Sequence, residues 1–396
     1  MPQGHVTSIA LVTSQAFSLK NFRGPLIRDI VAKGIRCYAL APDFDDKLRE
    51  EVSALGAEPV DITLQRTSIS PLRDLRDLLS LRRSLRRLGP DAVLSYFIKP
   101  VIYGSFAARL AGIPRRFCIV EGAGYIFSLG DGDMTTGQRS LRWAIRWLYR
   151  FSLRLAERVF FLNPDDLQLF SDELGIIPRS RTVSIPGIGV DLSEYRRQQP
   201  VKSPVTFILV ARLLAQKGVR EFARAARELS RRYPDTRFIL VGDVDDNPDS
   251  LTGGEIQSWV EESILDWPGH VDDVRPWLAQ SSVVVLPSYY REGLPRSLME
   301  GMAMGRPVIT TDMPGCRETV VEGVNGYLVP ARNIDALVSA MERFILNPEL
   351  IESMGLRSRA IAEEHFDVNR INRIILDNMG VSTKSEAGTD VPASGT

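Results

Sequence analysis

The sequence from Val283 to Gly305 reads Val283-Val-Val-Leu-Pro-Ser-Tyr-Tyr-Arg-Glu292-Gly-Leu-Pro-Arg-Ser-Leu-Met-Glu300-Gly-Met-Ala-Met-Gly305. The apolar run at its start has the length and the β-branched composition of a buried strand. Pro295 suits the first position of a helix and Gly305 suits the position after its end, so a helix follows the strand within a few residues. A strand, a turn and a helix in this order form the unit from which parallel sheets are built.

The same alternation of strand-length apolar runs with longer helical segments continues through the whole chain. In the first half it predicts strands near 6–13, 35–41, 91–97, 116–121, 158–162 and 181–186, and helices near 23–33, 71–88, 101–112, 137–157 and 163–174. In the second half it predicts strands near 205–211, 236–242, 282–287, 306–311 and 326–329, and helices near 217–232, 254–265, 272–280, 295–304, 315–322, 333–346 and 349–364. The predicted fold class is therefore α/β, with doubly wound, Rossmann-like domains.

The length of 396 residues indicates two domains, because it exceeds what one ordinary hydrophobic core organises. The polar segment 195–204 carries two prolines and is typical of an interdomain linker. We predict an N-terminal domain at 1–197 and a C-terminal domain at 198–365, facing each other across a cleft at the carboxyl ends of their strands. We further expect a helix at 366–380 to pack back on the N-terminal domain, and the polar tail 381–396 to be disordered.

The composition, with 44% hydrophobic and 25% charged residues, excludes disordered, fibrous and disulfide-scaffold proteins. The net charge of zero hides an asymmetry: residues 1–200 carry 28 basic and 21 acidic side chains, and residues 201–396 carry 21 and 28. We expect the basic half to meet an anionic surface and expect no nucleic-acid partner. Three widely spaced cysteines, no signal-peptide pattern and no apolar run near 20 residues predict a cytoplasmic protein that touches a membrane only peripherally.

Two kinds of polar residue follow strands of the second half. Arg212 and Lys217, with Gly218 after them, lie where a strand ends and a helix starts, which suits a diphosphate. Glu292 and Glu300 present carboxylates that accept hydrogen bonds from the vicinal hydroxyls of sugars. The alternatives are solvated surface cations, a capping role for Glu292 and a surface position for Glu300.

The spacing Glu292-x7-Glu300, with Arg212-x4-Lys217-Gly218, Val241-Gly242-Asp243 and Gly269-His270-Val271-Asp272 upstream, resembles the retaining GT-B glycosyltransferases of family 4 over most of residues 200–365. The resemblance implies a nucleotide-sugar donor and no cofactor. It implies that Glu300 binds the ribose, that Glu292 and the backbone amides of Gly293 and Leu294 bind the transferred sugar, and that Arg212 and Lys217 hold the diphosphate. It also places Gly242, His270 and Val271 in the donor site, although the His270 side chain is equally that of an ordinary loop histidine.

We expect no metal to take part, since two cations and a helix N-terminus can stabilise the leaving diphosphate. An alternative metal site is the triplet Asp131-Gly-Asp133, which lies in a turn-rich loop.

The N-terminal half carries strand ends that resemble a family 4 branch acting on polyprenyl-diphosphate sugars in bacterial surface glycans. The residues concerned are Asn21, Arg23, Lys99, Gly124 and Tyr125, which the resemblance places at the acceptor. Many family 4 members have a histidine near the third strand end, where this chain has none. We predict that Glu121 orients or deprotonates the acceptor hydroxyl instead, the alternative being a turn or capping contact.

Arginines recur every three or four residues from 139 to 158, beside tryptophans. A helix bearing Arg142, Arg146 and Arg150 with Trp143 and Trp147 suits the interface of an anionic membrane. The alternatives are a solvated arginine face and tryptophans buried in the core.

These observations predict an enzyme: a retaining, metal-independent glycosyltransferase that moves a hexose or N-acetylhexosamine from a UDP-sugar to a polyprenyl-diphosphate-linked sugar. Its expected place is the inner face of the cytoplasmic membrane, in exopolysaccharide, O-antigen or related glycan synthesis. The alternatives are a family 4 transferase with a soluble acceptor and a non-catalytic subunit that binds nucleotide sugars.

Overall fold

The computed structural model describes residues 6–64, 70–124, 127, 134–245, 247 and 249–381. These residues form two parallel sheets surrounded by helices, which confirms the predicted α/β class. The first sheet has seven strands in the order β3-β2-β1-β4-β5-β6-β7, and the second has six in the order β10-β9-β8-β11-β12-β13.

The strands of the first sheet are Ser8–Val12 (β1), Arg36–Ala41 (β2), Ala57–Asp61 (β3), Ala92–Tyr96 (β4), Arg115–Val120 (β5), Arg158–Phe161 (β6) and Thr182–Ser184 (β7). The strands of the second sheet are Thr206–Val210 (β8), Arg237–Val241 (β9), Asp266–Gly269 (β10), Val283–Leu286 (β11), Val308–Thr311 (β12) and Gly326–Val329 (β13).

The α-helices that accompany the first sheet are Phe17–Asn21, Gly24–Ala32, Asp46–Ala54, Pro71–Leu88, Ser105–Ala111, Thr136–Arg154 and Pro164–Gln168. Those that follow β8 are Val219–Arg232, Gly253–Glu261, Arg275–Ala279, Arg296–Ala303, Ile334–Leu346, Glu349–His365 and Val368–Asn378. The helix predicted at 315–322 is wrong, because only a single 3-10 turn, Arg317–Thr319, forms there.

The chain divides into two compact units. The first comprises residues 1–118, 152–158 and 372–396, and the second comprises 119–151 and 159–371. The predicted domain boundary at residue 197 and the predicted docking of the C-terminal helix stay predictions. The predicted disordered tail lies, from residue 382 onward, outside the described residues.

The core of the first unit packs strands β1, β2 and β4 under the helix Pro71–Leu88. Val12, Leu40 and Val93 lie against Leu81 and Leu85, and each of them is almost fully buried. The N-terminal part of this helix does not show the usual amphipathic pattern. Leu72 and Leu75 are exposed there, whereas Asp74 and Asp77 are buried. The second unit contains the whole second sheet, in which Phe207 and Phe238 stack at 5.6 Å between ring centroids.

Candidate active site

Two loops of the second unit meet at the carboxyl ends of the neighbouring strands β8 and β11, which pair through Val283 and Phe207. The backbone N–H of Tyr289 donates to the carbonyl of Gln216 at 3.0 Å and so ties the loops together. Gly218 has a positive φ of 77°, and a Cβ on it would lie 2.2 Å from the carbonyl oxygen of Pro287. Only glycine permits this approach, so the sequence Lys217-Gly218 brings the lysine to the β11 loop.

Lys217 and Glu292 form an ion pair where these loops meet. The Nζ of Lys217 lies 2.5 Å from Oε1 of Glu292, and the two side chains are only 16% and 10% exposed. The hydroxyl of Ser288 donates to the same oxygen at 2.9 Å. The helix that follows begins at Arg296 with Pro295 before it, so Glu292 does not cap it and the capping alternative is wrong. The pair is a charged, water-poor centre in which electrostatic interactions are stronger than at an exposed surface.

The backbone of Glu292 is held from two sides. Its N–H donates to the carbonyl of Pro314 at 3.1 Å. Its carbonyl accepts from Nδ2 of Asn163 at 2.9 Å, and the same amide nitrogen lies 2.7 Å from the carbonyl of Gly293. Asn163 was not among the predicted site residues. Its sequence signal, an Asn-Pro pair after an apolar strand, indicates only a helix cap.

A second link joins the same elements. The guanidinium of Arg291 lies 3.1 Å from Oδ1 of Asp166, which is fully buried. Burial raises the pKa of Asp166, and the neighbouring Arg291 charge opposes that rise. The helix Pro164–Gln168 therefore contacts the Glu292 loop through both Asn163 and Asp166.

The backbone of Glu121 lies beside the same loop. A Cβ on Gly293 would lie 2.9 Å from both the carbonyl carbon and the carbonyl oxygen of Glu121. On the other side, Gly122 has a φ of 108°, and a Cβ there would lie 3.1 Å from the backbone nitrogen of Gly293. The two glycines thus allow the strand end that carries Glu121 to touch the loop that carries Glu292. Tyr125, predicted nearby, lies outside the described residues.

Glu300 is buried, so the surface alternative for this residue is wrong. Its Oε1 accepts hydrogen bonds from the hydroxyl of Tyr195 at 2.8 Å and from Nε of Arg296 at 2.7 Å. Burial, followed by the nearby Glu300 charge, raises the pKa of Tyr195, so its hydroxyl stays a donor at neutral pH. Leu294, between the two glutamates, is also buried.

The remaining predicted donor residues lie at the ends of the adjacent strands β8, β9 and β10. Arg212 is half-exposed and its Nη1 lies 2.9 Å from Oδ2 of Asp245. Gly242 has no room for a side chain, because a Cβ would lie 1.8 Å from the carbonyl oxygen of Ala211. His270 is 72% exposed and lies 3.7 Å from Asp272, while Val271 is half-buried.

Burial and the nearby Glu292 carboxylate both keep the Cys316 thiol neutral. Desolvation, with the Glu292 charge adding to it, raises the pKa of Cys316 to about 12. A thiol with this pKa is a poor nucleophile at neutral pH, so Cys316 does not suit covalent chemistry.

The predicted acceptor residues are in different environments. Asn21 is exposed at the end of a short helix, whereas Arg23 is buried with its guanidinium 4.7 Å from the ring centroid of Tyr96. Lys99 pairs with Asp74 at 2.9 Å. Asp74 was not predicted, because its place in a leucine-rich, arginine-rich helix is typical of a solvated position. Gly124, in the second unit, has a φ of 86° and is buried.

The helix Thr136–Arg154 exposes three aromatic side chains, Trp143, Trp147 and Phe151, which we call the aromatic strip. They are 64%, 40% and 52% exposed. Neighbouring ring centroids are 5.8 Å and 5.5 Å apart. The alternative that the tryptophans belong to the core is therefore wrong.

Two of the predicted arginines on this helix bind backbone. Arg146 donates to the carbonyl of Leu174 at 2.8 Å and Arg150 to that of Gly175 at 2.7 Å, while Arg142 is half-buried. Among the described helices, none combines the length and the apolar character needed to cross a bilayer.

Comparison with protein families gives two matches. Residues 24–187 match the glycosyl transferase 4-like domain, and residues 204–347 match the glycosyl transferases group 1 domain. Together these matches account for more than three quarters of the chain.

Two curated relatives resemble the chain over most of its length. It is 26% identical to the N,N'-diacetylbacillosaminyl-diphospho-undecaprenol alpha-1,3-N-acetylgalactosaminyltransferase of Campylobacter jejuni, over 82% of this chain and 86% of that protein. It is 28% identical to the UDP-Gal:alpha-D-GlcNAc-diphosphoundecaprenol alpha-1,3-galactosyltransferase of Escherichia coli, over 78% and 80%.

Among solved structures, Anabaena HepE in complex with UDP superposes with a TM-score of 0.71 at 19% identity, over 95% of this chain and 99% of that one. This likeness supports the GT-B fold that the two parallel sheets indicate. The two domain matches and the fold show that the chain belongs to the family 4 glycosyltransferases, with the 4-like domain in its first half and the group 1 domain in its second.

Proposed function

We propose that this glycosyltransferase moves a hexose or an N-acetylhexosamine from a UDP-sugar to a polyprenyl-diphosphate-linked sugar, with retention of configuration and without a metal. The observation that carries the proposal is the buried cluster of Lys217, Glu292 and Ser288, because it places a cation and a carboxylate at adjacent strand ends. The names of the two curated relatives support the acceptor class, and one of them names a UDP-sugar as donor.

The cations serve the leaving group. Cleavage of the sugar–diphosphate bond builds negative charge on the diphosphate, and preorganised cations in a water-poor site stabilise that charge. The ion pair with Glu292 holds Lys217 in place. Arg212 is half-exposed and pairs with Asp245, so it exchanges this carboxylate for a diphosphate oxygen at little cost. With the backbone amides of Gly293 and Leu294, these groups supply the stabilisation that a divalent metal supplies in other enzymes.

The two glutamates serve hydroxyl groups. Oε1 of Glu292 accepts from Lys217 and Ser288. Oε1 of Glu300 accepts from Tyr195 and Arg296. The second oxygen of each carboxylate, Oε2, is the acceptor that we assign to the ligand: that of Glu292 to the transferred sugar and that of Glu300 to the ribose. Gly242, His270 and Val271 lie at the neighbouring strand ends, where the nucleobase is expected to bind.

Retention and the acceptor role of Glu121 belong to the same proposal. Both curated relatives are named as alpha-1,3 transferases, and transfer from an α-linked donor to an α-linked product is retention. Glu121 is half-buried and its backbone adjoins Gly293, which supports a role in orienting the acceptor hydroxyl at the sugar. Lys99 and Arg23 of the first unit are the cations that we assign to the acceptor. Transfer from a UDP-sugar to an undecaprenyl-diphosphate sugar, in the presence of a chelator, is the experiment that tests this proposal.

The aromatic strip supports peripheral association with the inner face of the cytoplasmic membrane. Exposed aromatic rings favour the headgroup region of a bilayer, and arginines beside them favour anionic lipid. Arg146 and Arg150 also bind backbone carbonyls, so replacing them risks local unfolding. The tryptophans are better positions for a test, since they are the exposed apolar part of the surface.

Replacing Trp143 and Trp147 together by Ser is expected to lower binding to vesicles of phosphatidylglycerol and phosphatidylethanolamine at least about fivefold, because the apolar area inserted into the interface is lost. Co-sedimentation measures the bound fraction. The matched control replaces Leu346 and Leu356 by Ser, since they are 61% and 47% exposed on other helices. Equal binding by the tryptophan variant and the parent would contradict the membrane assignment.

A further inference from the structure

We propose that Asn163 is a positioning residue for the transfer step: its side-chain amide fixes the loop that carries Glu292. The inference rests on the proposed function, in which Glu292 binds the transferred sugar. Asn163 lies two residues after β6, as the N-cap of the helix Pro164–Gln168, and is 1% exposed.

The two ends of the Asn163 side chain have different tasks. Its Oδ1 accepts the backbone N–H of Asp166 at 2.7 Å, which is the ordinary contact of a helix cap. Its Nδ2 lies within 3.0 Å of three oxygens: the carbonyls of Glu292 and Gly293 and Oδ2 of Asp166. A cap alone needs only the oxygen, and Ser, Thr and Asp supply one equally well. Among these common capping residues, only Asn also has an amide nitrogen that donates hydrogen bonds.

The contacted carbonyls belong to the peptide units that orient the site. The backbone N–H of Glu292 donates to Pro314, and its backbone carbonyl accepts from Asn163. The side chain itself is held by Lys217 and Ser288. Glu292 is therefore restrained on both sides of its Cα and at its carboxylate. Without the Asn163 amide, the carbonyl of Glu292 and that of Gly293 lose a buried donor, and the peptide planes gain freedom to rotate.

Loss of the Asn163 amide is expected to affect the sugar site but not the nucleotide site. The groups that we assign to the nucleotide have other partners: Arg212 pairs with Asp245, and Glu300 accepts hydrogen bonds from Tyr195 and Arg296. Loss of the amide is thus expected to misplace the carboxylate at the sugar and to leave the nucleotide contacts in place. Misplacement of a reacting group by a fraction of an ångström lowers kcat more than it lowers binding.

The test uses Asn163→Ser, which keeps a capping oxygen and removes the amide. Hydrogen exchange of the backbone amides of residues 288–295 is measured without ligand, together with UDP affinity by calorimetry and kcat for transfer. We expect faster exchange in this segment, a kcat lowered at least about tenfold and a UDP Kd within about twofold of the parent. The matched control is Asn333→Ser, since Asn333 caps another helix through Ala336 at 2.9 Å and is exposed. It is expected to change none of the three readouts.

Each outcome decides the inference. Unchanged exchange at 288–295, or faster exchange with unchanged kcat, overturns the positioning role. A fall in UDP affinity as large as the fall in kcat also overturns it, because a general structural defect then explains both. If the parent protein transfers no sugar, the proposed function fails, and the exchange measurement still decides whether Asn163 holds the loop.

Discussion

Replacing Lys217 by Ala is expected to lower kcat for sugar transfer about 100- to 1,000-fold, which is the usual cost of removing one preorganised group that stabilises transition-state charge. Lys217 is fixed 2.5 Å from Glu292 and is 16% exposed, so water cannot readily replace its charge. The variant also leaves Glu292 without its counter-charge, and we expect a lower Tm in consequence. Activity is therefore measured well below that Tm and expressed per folded molecule.

The control for this prediction is another lysine–glutamate pair of the same length. Lys202 and Glu352 also lie 2.5 Å apart, but their side chains are 41% and 34% exposed. Lys202→Ala is expected to leave kcat unchanged, since it removes an ion pair without touching the strand ends of the site. If the kcat of Lys217→Ala is within a fewfold of that of the parent, Lys217 does not stabilise the leaving group.

Replacing Gly293 by Ala is expected to lower kcat about 100-fold or more, because misplacement of catalytic groups by about 1 Å has effects of that size. The added methyl would lie 2.9 Å from the Glu121 carbonyl and from Cδ1 of Leu162, and backbone atoms must move to make room for it. The movement separates the loop of Glu292 from the strand end of Glu121, the two carboxylates that the proposal assigns to the donor and the acceptor.

Gly254→Ala is the matched control for this substitution. Gly254 lies in the helix Gly253–Glu261, and a Cβ there meets no atom within 4 Å. Because alanine favours helix, the control is expected to raise stability slightly and to leave kcat alone. Full activity in Gly293→Ala would show that the contact with Glu121 has no role in turnover.

The central strands of both sheets were predictable from the sequence, whereas the strands at one edge of each sheet were not. Strands β3 and β10 are edge strands, and they contain Pro59 and Pro268 together with acidic residues. At an edge one side of the strand has no partner, so a missing N–H costs little and apolar residues are not required. The hydrophobic periodicity that reveals a buried strand is therefore absent from both.

The candidate site was predictable only where the residues lie at strand ends. Lys217 and Glu292 follow apolar strands closely, and the parallel topology brings such ends together. Glu300 lies in the helix Arg296–Ala303 that follows β11. Asn163 and Asp74 were missed for a different reason. Their side chains contact partners 129 and 25 residues away along the chain, Glu292 and Lys99, and no local pattern encodes such distant contacts.

Which individual side chains of a helix are exposed could also not be predicted from the sequence. Tryptophans at a spacing of four residues are typical of a helix core, yet Trp143 and Trp147 are exposed, and Tyr149 fills the buried face beside Phe170. The periodicity of the helix indicates one apolar face but does not identify which of several aromatic residues covers it.

Sugar transfer by the purified protein tests donor, acceptor, metal dependence and stereochemistry together. The purified chain is incubated with a set of radiolabelled UDP-hexoses and UDP-N-acetylhexosamines, undecaprenyl-diphosphate-linked N-acetylhexosamine and EDTA, and the anomeric configuration of the product is read by NMR. We expect an α-linked disaccharide on the lipid, formed in EDTA as fast as with added Mg²⁺. A β-linked product, a requirement for metal, or binding of UDP without any transfer across this donor set would contradict it.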